Sequence, residues 1–311
     1  AHRQFSDGVT NDSWREVQDI WAAASQARYT AESFVTRMEK IIAMRPVEDQ
    51  TDDLEEGLPF TNARAMNIAG FANRIMGDAF CNAVIDGGPL QDHTEFYRRA
   101  EQHFSRAVEL ATQLGRDTIL QVAYAGRAQA RMMLGDWQGA VADAGVVGTD
   151  LVFQQEHRGT TARPRENNFI RVSILFTNAE TTVWGTPFAD WGRRDGTTTG
   201  DPRATWDIPL LSGQPRESGD RRRPFWRQTK YVNYGDNIAL VKGTEMRLIE
   251  AEARLRAGDV DGAVAKINEV RQFRNSPLGG LAAAERTLPM VSATTTEAAW
   301  ELLMRERGIE L

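Results

Sequence analysis

Residues Glu245 to Arg271 read Glu-Met-Arg-Leu-Ile-Glu-Ala-Glu-Ala-Arg-Leu-Arg-Ala-Gly-Asp-Val-Asp-Gly-Ala-Val-Ala-Lys-Ile-Asn-Glu-Val-Arg: a helix, a Gly-Asp stop, and a second helix of like pattern. In the first arm Met246, Ile249, Ala253 and Leu255 to Ala257 come near one apolar side. Gly258 suits the left-handed conformation that closes a helix, and Asp259 suits the cap of the next one. The stretch is a helical hairpin with an earlier copy. Gly135-Asp136-Trp137-Gln138-Gly139-Ala140-Val141-Ala142 aligns without a gap on Gly258-Asp259-Val260-Asp261-Gly262-Ala263-Val264-Ala265. Each turn glycine has an alanine seven residues before it (Ala128, Ala251) and another five after it (Ala140, Ala263), so small side chains face each other where the arms cross. This is the logic of tetratricopeptide units, helix pairs of roughly 34 residues. Two copies are too few for a free-standing solenoid, in which each pair needs neighbours to cover its apolar face. Something else must cover them.

The rest of the first half continues in helices. Ser13-Trp14-Arg15-Glu16 is a capping box, opening a helix with Trp14, Val17, Ile20, Ala24 and Ala27 at helical spacing. A second arm from Ala31 to Met44 carries Phe34, Val35, Met38, Ile41 and Ile42 and is closed by Arg45-Pro46, so the two are expected to form another helix pair. Glu48 to Gly57, with six carboxylates, reads as a solvated loop. From Thr61, the positions Ala65, Ile68, Ala69, Ala72, Ile75, Met76, Ala79 and Phe80 form the face of a helix expected to be buried along its length. After the break at Asp86 to Leu90, a helix carries Phe96, Tyr97, Ala100, Phe104, Ala107, Val108 and Ala111, and the first repeat hairpin follows from Asp117 to Val147.

Between Thr149 and Gly243 helical periodicity disappears, and turn residues and aromatics replace it. Val172 to Phe176 and Thr229 to Tyr234 are candidate short strands. So long a stretch without regular helix is expected to be a functional elaboration on the helical scaffold. After the second hairpin and the loop Asn275 to Pro289, Thr294-Thr295-Thr296-Glu297 is a capping box for a last helix that runs to Leu311. The fold class read from this order is mainly α. Helical hairpins fill 1–148, an irregular ligand or partner region with a few short strands spans 149–243, and a C-terminal hairpin and last helix occupy 244–311, all within one domain.

Composition narrows the chemistry. With 311 residues, 41% hydrophobic and 26% charged, the chain can bury a large core, and its formal charge of −6 argues against a nucleic-acid binder. Arg221-Arg222-Arg223 reads as a solvated loop. The single cysteine, Cys81, excludes an internal disulfide framework, and its place on the apolar side of a predicted helix reads as a buried, inert thiol. His2, His93, His103 and His157 show no metal-ligand spacing, and neither a Gly-rich phosphate loop nor a Gly-x-Ser-x-Gly elbow is present, so no metal and no cofactor are expected. Glu250 and Glu252 are two apart on a helix and point to different sides, which suits salt bridges better than a glycosidase pair. No run of about 18 apolar residues occurs. The start at Ala1 rather than Met fits the removal of a leader.

Three pieces of the C-terminal third resemble one family: Lys230-Tyr231; the hairpin from Arg247-Leu248-Ile249-Glu250-Ala251-Glu252-Ala253 to Ile267-Asn268-Glu269-Val270-Arg271; and Leu303-Met304-Arg305-Glu306-Arg307-Gly308-Ile309-Glu310-Leu311. In that order they look like the SusD/RagB family, surface lipoproteins of starch-utilisation-type systems in Bacteroidota and related bacteria. Asp201-Pro202-Arg203 sits where that family tends to have Asp-x-Arg. The resemblance implies four tetratricopeptide-like hairpins as a scaffold, and on it an irregular region that captures a nutrient, often a glycan or oligosaccharide. It also implies a SusC-like TonB-dependent outer-membrane transporter as partner, and a location at the cell outer membrane through an N-terminal lipid anchor.

The candidate ligand-binding residues come from the irregular region. Trp184, Trp191, Trp206 and Tyr234, in a wider set with Trp226 and Tyr231, lie in loop-like sequence where flat rings could stack on sugar faces. The same rings could equally pack this region onto the helices, because it has few aliphatic residues of its own. Two functions remain open: a non-enzymatic protein that captures a nutrient for a transporter, and a structural or adaptor subunit with no small ligand. An all-α glycosidase is the weaker third, since no carboxylate pair stands out.

Overall fold

The computed structural model describes residues 15–44, 57–159, 167–173, 179, 181–219, 221–273 and 288–310. Among these the chain is mainly α, with ten helices and nine short strands, and it divides into two compact units between Val147 and Gly148. The expected capping residues Ser13 and Trp14, the acidic loop 48–56 and most of the loop 275–289 lie outside the described residues.

In the first unit, helix α1 (Arg15–Met44) runs unbroken over thirty residues. This corrects the helix pair expected there: no Gly or Pro falls between Arg15 and Met44, so nothing in the chain ends the first arm. Its buried side is Arg28, Ala31, Val35 and Met38, while Phe34 and Ile41 are exposed. Helix α2 (Leu58–Ala79) also differs from expectation. Met66, Ala69 and Met76 are buried, but Ile68 and Ile75 face out, and the buried side instead includes Gly70, Asn73 and Gly77.

The reason is the next helix, α3 (Thr94–Gln113), whose buried residues are the seven apolar positions expected from its periodicity. Phe104 is fully buried. A Cβ added at Gly70 would stand 2.6 Å from its ring, and one added at Gly126 on helix α4 (Asp117–Leu134) would stand 2.3 Å from it. The ring therefore fills a slot that two glycines leave open, with Phe71 meeting it edge-on at 4.9 Å. Tyr97 uses Gly77 in the same way and donates its hydroxyl hydrogen to Asp78 Oδ1 at 3.0 Å. Strands β1 (Asn82–Val84) and β2 (Leu90–Asp92) pair antiparallel between α2 and α3. Cys81 lies past the end of α2 and is exposed, not buried as expected, because the helix closes at Phe80 before the cysteine can join its apolar side.

The repeat hairpins behave as read. Helices α4 and α5 (Trp137–Gly145) in the first unit, and α8 (Gly243–Arg256) and α9 (Val260–Gln272) in the second, turn on Gly135 and Gly258, at φ 80° and 81°. Asp136 and Asp259 each accept from the backbone N–H of the following glycine, Gly139 or Gly262, at 2.9 Å. All four crossing alanines are fully buried. One further correspondence appears only in three dimensions. Eight residues before each turn glycine and eight after it stand a bridged pair, Arg127 with Asp143 and Glu250 with Lys266, both at 2.7 Å and with opposite polarity.

The second unit joins β3 (Val152–Gln155) antiparallel to β9 (Ile238–Lys242), which leads directly into α8. The irregular region holds the short helices α6 (Phe169–Ser173) and α7 (Pro187–Trp191), the sheet of β4 (Gly192–Arg194), β5 (Asp201–Asp207) and β8 (Arg227–Gln228), and the hairpin of β6 (Leu210–Leu211) and β7 (Gln214–Pro215). Two strand expectations are thus corrected. Val172 and Ser173 end a helical turn that Asn168 caps by accepting from the Arg171 N–H at 3.0 Å, and 174–176 lie outside the described residues. The chain after Gln228 turns instead of extending, because the Gln228 side chain binds the Lys230 and Tyr231 N–H groups, so the strand is 227–228. Arg221 to Arg223 are exposed, as expected of a solvated loop.

The glycine slot gives a direct test. Gly126→Ala should lower stability by about 1–3 kcal/mol, as overpacking does, because the Phe104 ring has no exposed side toward which to move. A second change, Phe104→Leu, should recover part of the loss in urea or thermal unfolding. A Gly126→Ala protein as stable as the parent would contradict the packing described.

Candidate functional site

The last helix, α10 (Thr296–Glu310), places Glu306 and Glu310 one turn apart on a side that is almost wholly buried. Strand β5 presents Asp201 and Arg203 on one face, since residues two apart on a strand point the same way. These motifs meet. Asp201 grips Arg203 with both oxygens, at 3.0 Å to Nε and 2.8 Å to Nη2, and Nη1 reaches Glu306 at 2.5 Å and Glu310 at 3.2 Å. Glu310 also takes Lys242 Nζ at 2.9 Å and Thr244 Oγ1 at 2.8 Å, while Lys242 donates in addition to its backbone carbonyl. Glu306 is completed by Arg271 at 2.9 Å.

Burial alone would raise the carboxyl pKa values of Asp201 and Glu310, but the cations outweigh it. Asp201 is held below its ordinary range by Arg203, and Glu310 by Lys242 and Arg203. The cluster fixes the irregular region onto the helical hairpin within this unit, because β5, β9, α8, α9 and α10 each supply a member.

Against this cluster lies a cavity of about 200 Å³. Its apolar lining includes Ile170, Val183, Phe188, Trp206, Tyr231 and Ile309, and its polar lining Thr205, Gln228 and Lys230. Trp206 is 7% exposed and stacks flat on Trp226, with ring centroids 4.7 Å apart and planes 4° from parallel. Its Nε1–H is buried without a hydrogen-bond partner. The Gln228 Oε1 accepts from the Lys230 and Tyr231 N–H groups at 2.7 and 3.1 Å, which fixes the amide, and the Nε2 of the same side chain is buried and unpartnered. The Lys230 ammonium is pushed down to about 8, first by burial and then by repulsion from Lys242. Gly308 of the C-terminal motif also lines the cavity, and a Cβ there would come within 3.1 Å of Trp191 and 3.4 Å of Phe188.

The four aromatic residues singled out in the sequence are not gathered in one place. Trp206 is in the cavity wall. Trp191 stands edge-on to Phe188, with centroids 5.7 Å apart, and so supports the wall from behind. Trp184 is 40% exposed on a turn whose N–H binds Thr182 Oγ1, and Tyr234 sits beside the Arg171 guanidinium, 6.0 Å from its ring; neither lines the cavity. Phe188, Thr205 and Gln228 were not anticipated, and Lys230 was read only as part of a motif. Nothing in the sequence distinguishes Gln228, whose role comes from the local turn it pins.

Glu250 and Glu252 are engaged by Lys266 at 2.7 Å and by Arg256 and Arg307 at 2.8 and 3.1 Å, in the salt bridges expected of them. Among the described residues no group of His, Cys, Asp and Glu could hold a metal ion. A second cavity, of about 350 Å³, lies in the first unit beside Trp21, Tyr29 and Phe96, but its Arg28 is bound to Glu32 and Asp86 at 2.5 and 2.6 Å.

The arrangement of hairpins, strands and C-terminal helix matches solved structures. A SusD-like protein from Bacteroides fragilis NCTC 9343 superposes with a TM-score of 0.54 over 83% of this chain and 72% of its own length, at 16% identity. The fold is SusD-like. Two proteins from Bacteroides vulgatus ATCC 8482 agree: a SusD-like carbohydrate binding protein at TM-score 0.53 and 17% identity, over 84% of this chain and 63% of its own, and a SusD superfamily protein at 0.54 and 15%, over 94% and 71%. The chain thus spans between 63% and 72% of the length of these neighbours. No protein-family model and no curated protein matches it in sequence. What these SusD-like structures share with the chain, at such low identity, is architecture.

The ion cluster contributes to the acid sensitivity of this unit. Asp201 and Glu310 have folded-state pKa values below their ordinary 3.8 and 4.5, so their contribution is complete above about pH 4.5 and is lost as pH falls through the depressed values. Melting temperature should therefore decline below about pH 4.5. Arg203→Met should cost about 3–5 kcal/mol at neutral pH and make the acid-side decline shallower, the remainder coming from Asp236 and Asp259, which are also held below their ordinary range. A variant that keeps the parental pH profile would show that the cluster does not contribute to it.

Proposed function

We propose that this protein is a non-enzymatic nutrient-capture protein of the SusD/RagB type, that its ligand is a glycan, and that the cavity of the second unit is where a sugar ring binds. The supporting observation is the cavity's composition: aromatic faces from Phe188, Trp206 and Tyr231 beside N–H donors of Trp206 and Gln228 that have no protein acceptor. Sugars offer C–H faces that pack on rings and oxygens that accept from N–H groups. A buried donor without an acceptor costs free energy, a cost that a ligand coming within its reach would remove. The description of one structural neighbour as a carbohydrate binding protein is in keeping with this reading. Trp191 then acts through Phe188, while Trp184 and Tyr234 are further contacts for a longer glycan.

The carboxylates near the cavity favour capture over hydrolysis, because Asp201, Glu306 and Glu310 are occupied by cations and none is left as a general acid. Delivery to a SusC-like TonB-dependent transporter, a lipid anchor ahead of Ala1 and a place at the outer membrane complete the proposal.

Two measurements test it. A glycan array followed by calorimetry should yield a sugar whose affinity falls roughly 2–10-fold in Phe188→Ala, the range of one aromatic contact, with the melting temperature preserved. Purification of the native protein from membranes should bring down a TonB-dependent barrel. An array without hits, together with a stoichiometric complex of other composition, would favour the adaptor reading that the tetratricopeptide-like hairpins also suit.

A further inference from the structure

The larger cavity, of about 350 Å³, belongs to the first unit and falls within the size range of small-molecule sites. One wall is a single face of helix α1, on which Trp21, Ser25, Arg28 and Tyr29 follow one another at helical spacing. Another comes from the turn between β1 and β2, where Asp86 and Gly87 have φ 54° and 74° and the Gly88 N–H donates to the Ile85 carbonyl at 2.9 Å. An Asp-Gly pair suits this left-handed turn. Arg28 ties the turn to the helix across 58 residues of sequence, its Nη2 meeting Asp86 Oδ1 at 2.6 Å. Trp21 is braced edge-on against Phe80, with ring centroids 4.9 Å apart. Two lining groups remain open to solvent: Tyr29 is 61% exposed, and the Asp86 side chain 49%.

The charges here disfavour an ionic ligand of either sign. Arg28 is buried and committed to Glu32 and Asp86, and the Asp86 carboxylate would repel an anion. A cation gains little, because Arg28 and Arg99 already stand against that carboxylate at 2.6 and 3.5 Å. Asp86 nevertheless keeps acceptor capacity, since an ionised carboxylate offers about four lone-pair positions and half of this side chain is uncovered. Arg28 holds its carboxyl below the ordinary range against the opposing effect of burial, so it accepts at neutral pH. Hydroxyl hydrogens answer such a group, and the rings of Trp21 and Tyr29 answer a C–H face. Sugars have both.

We infer that this cavity is a second carbohydrate site, selective for an uncharged sugar whose hydroxyls donate to Asp86 while its C–H face packs on Tyr29 and Trp21. It is built from elements of the first unit alone and does not rest on the capture cavity of the second.

The test is calorimetry of the full chain with maltose, cellobiose, xylobiose, mannobiose and galactobiose, in the parent and in Phe188→Ala, which alters the other cavity. At least one of these sugars should bind with an affinity that Phe188→Ala leaves unchanged. Tyr29→Ala should weaken that binding about 2–10-fold, the range of one aromatic contact. Asp86→Asn, which suits the same turn but removes the charge, should weaken it about tenfold, the scale of a charge-assisted hydrogen bond. The uronate and amino counterparts of the same sugar should each bind several-fold less tightly.

Binding that survives undiminished in both Tyr29→Ala and Asp86→Asn overturns the inference, as does a preference for the acidic or amino sugar. If these probes fail while an arrayed glycan binds in a manner that depends on Phe188, the second site falls and the capture reading stands. If no sugar binds the chain at all, both fall. Should Asp86→Asn not fold, judged by its melting curve, the exposed change Tyr29→Ala and the comparison of neutral with charged sugars decide.

Discussion

Arg203 holds the second unit together. Its guanidinium is shared among Asp201, Glu306 and Glu310, which come from a strand and the last helix, and Lys242, Thr244 and Arg271 complete those carboxylates from three further elements. A region with so few aliphatic side chains cannot be fastened by oil alone. Here it is fastened by charge, at the desolvation cost that buried ions carry and with the directional precision that bidentate pairing gives in return. Phe188, Trp206 and Tyr231 keep their places around a cavity because the cluster next to them defines where β5 and α10 stand.

The sequence revealed the scaffold more fully than the site, for physical reasons. The buried side of Thr94–Gln113 was legible because apolar residues recur there at a strict helical period. Ile68 and Ile75 misled because hydrophobicity marks what could be buried, whereas the packing side of Leu58–Ala79 is set by Gly70 and Gly77, whose contribution is the absence of a side chain. The two arms expected before Met44 are one helix, since no breaker interrupts Arg15–Met44. Cys81 was misplaced by only two residues past a helix end, enough to expose it.

The cavity was beyond reach for a different reason. Arg203 and Glu310 are 107 residues apart, and Gln228 owes its fixed amide to a turn that no local propensity announces. The motif residues Lys230, Glu306, Gly308 and Glu310 were recognised as a pattern without a physical role. Three dimensions supply it: two carboxylates anchor the last helix, the glycine leaves room for Trp191 and Phe188, and the lysine enters the cavity lining. Trp206 illustrates how the two readings of an aromatic residue can merge, since it packs as core on one face and lines a cavity with the other.

The opposed bridges of the two repeat hairpins have one more consequence. Chains that contain near-copies of one unit risk pairing an arm of one copy with the complementary arm of the other, and these hairpins share their turn and their crossing alanines. Were the helix of Arg127 to close on the helix of Lys266, two cations would meet at the crossing; were the helix of Glu250 to close on that of Asp143, two carboxylates would. Each hairpin thus carries a lock whose key is cut the other way round, so that similarity in shape does not become interchangeability while the chain folds.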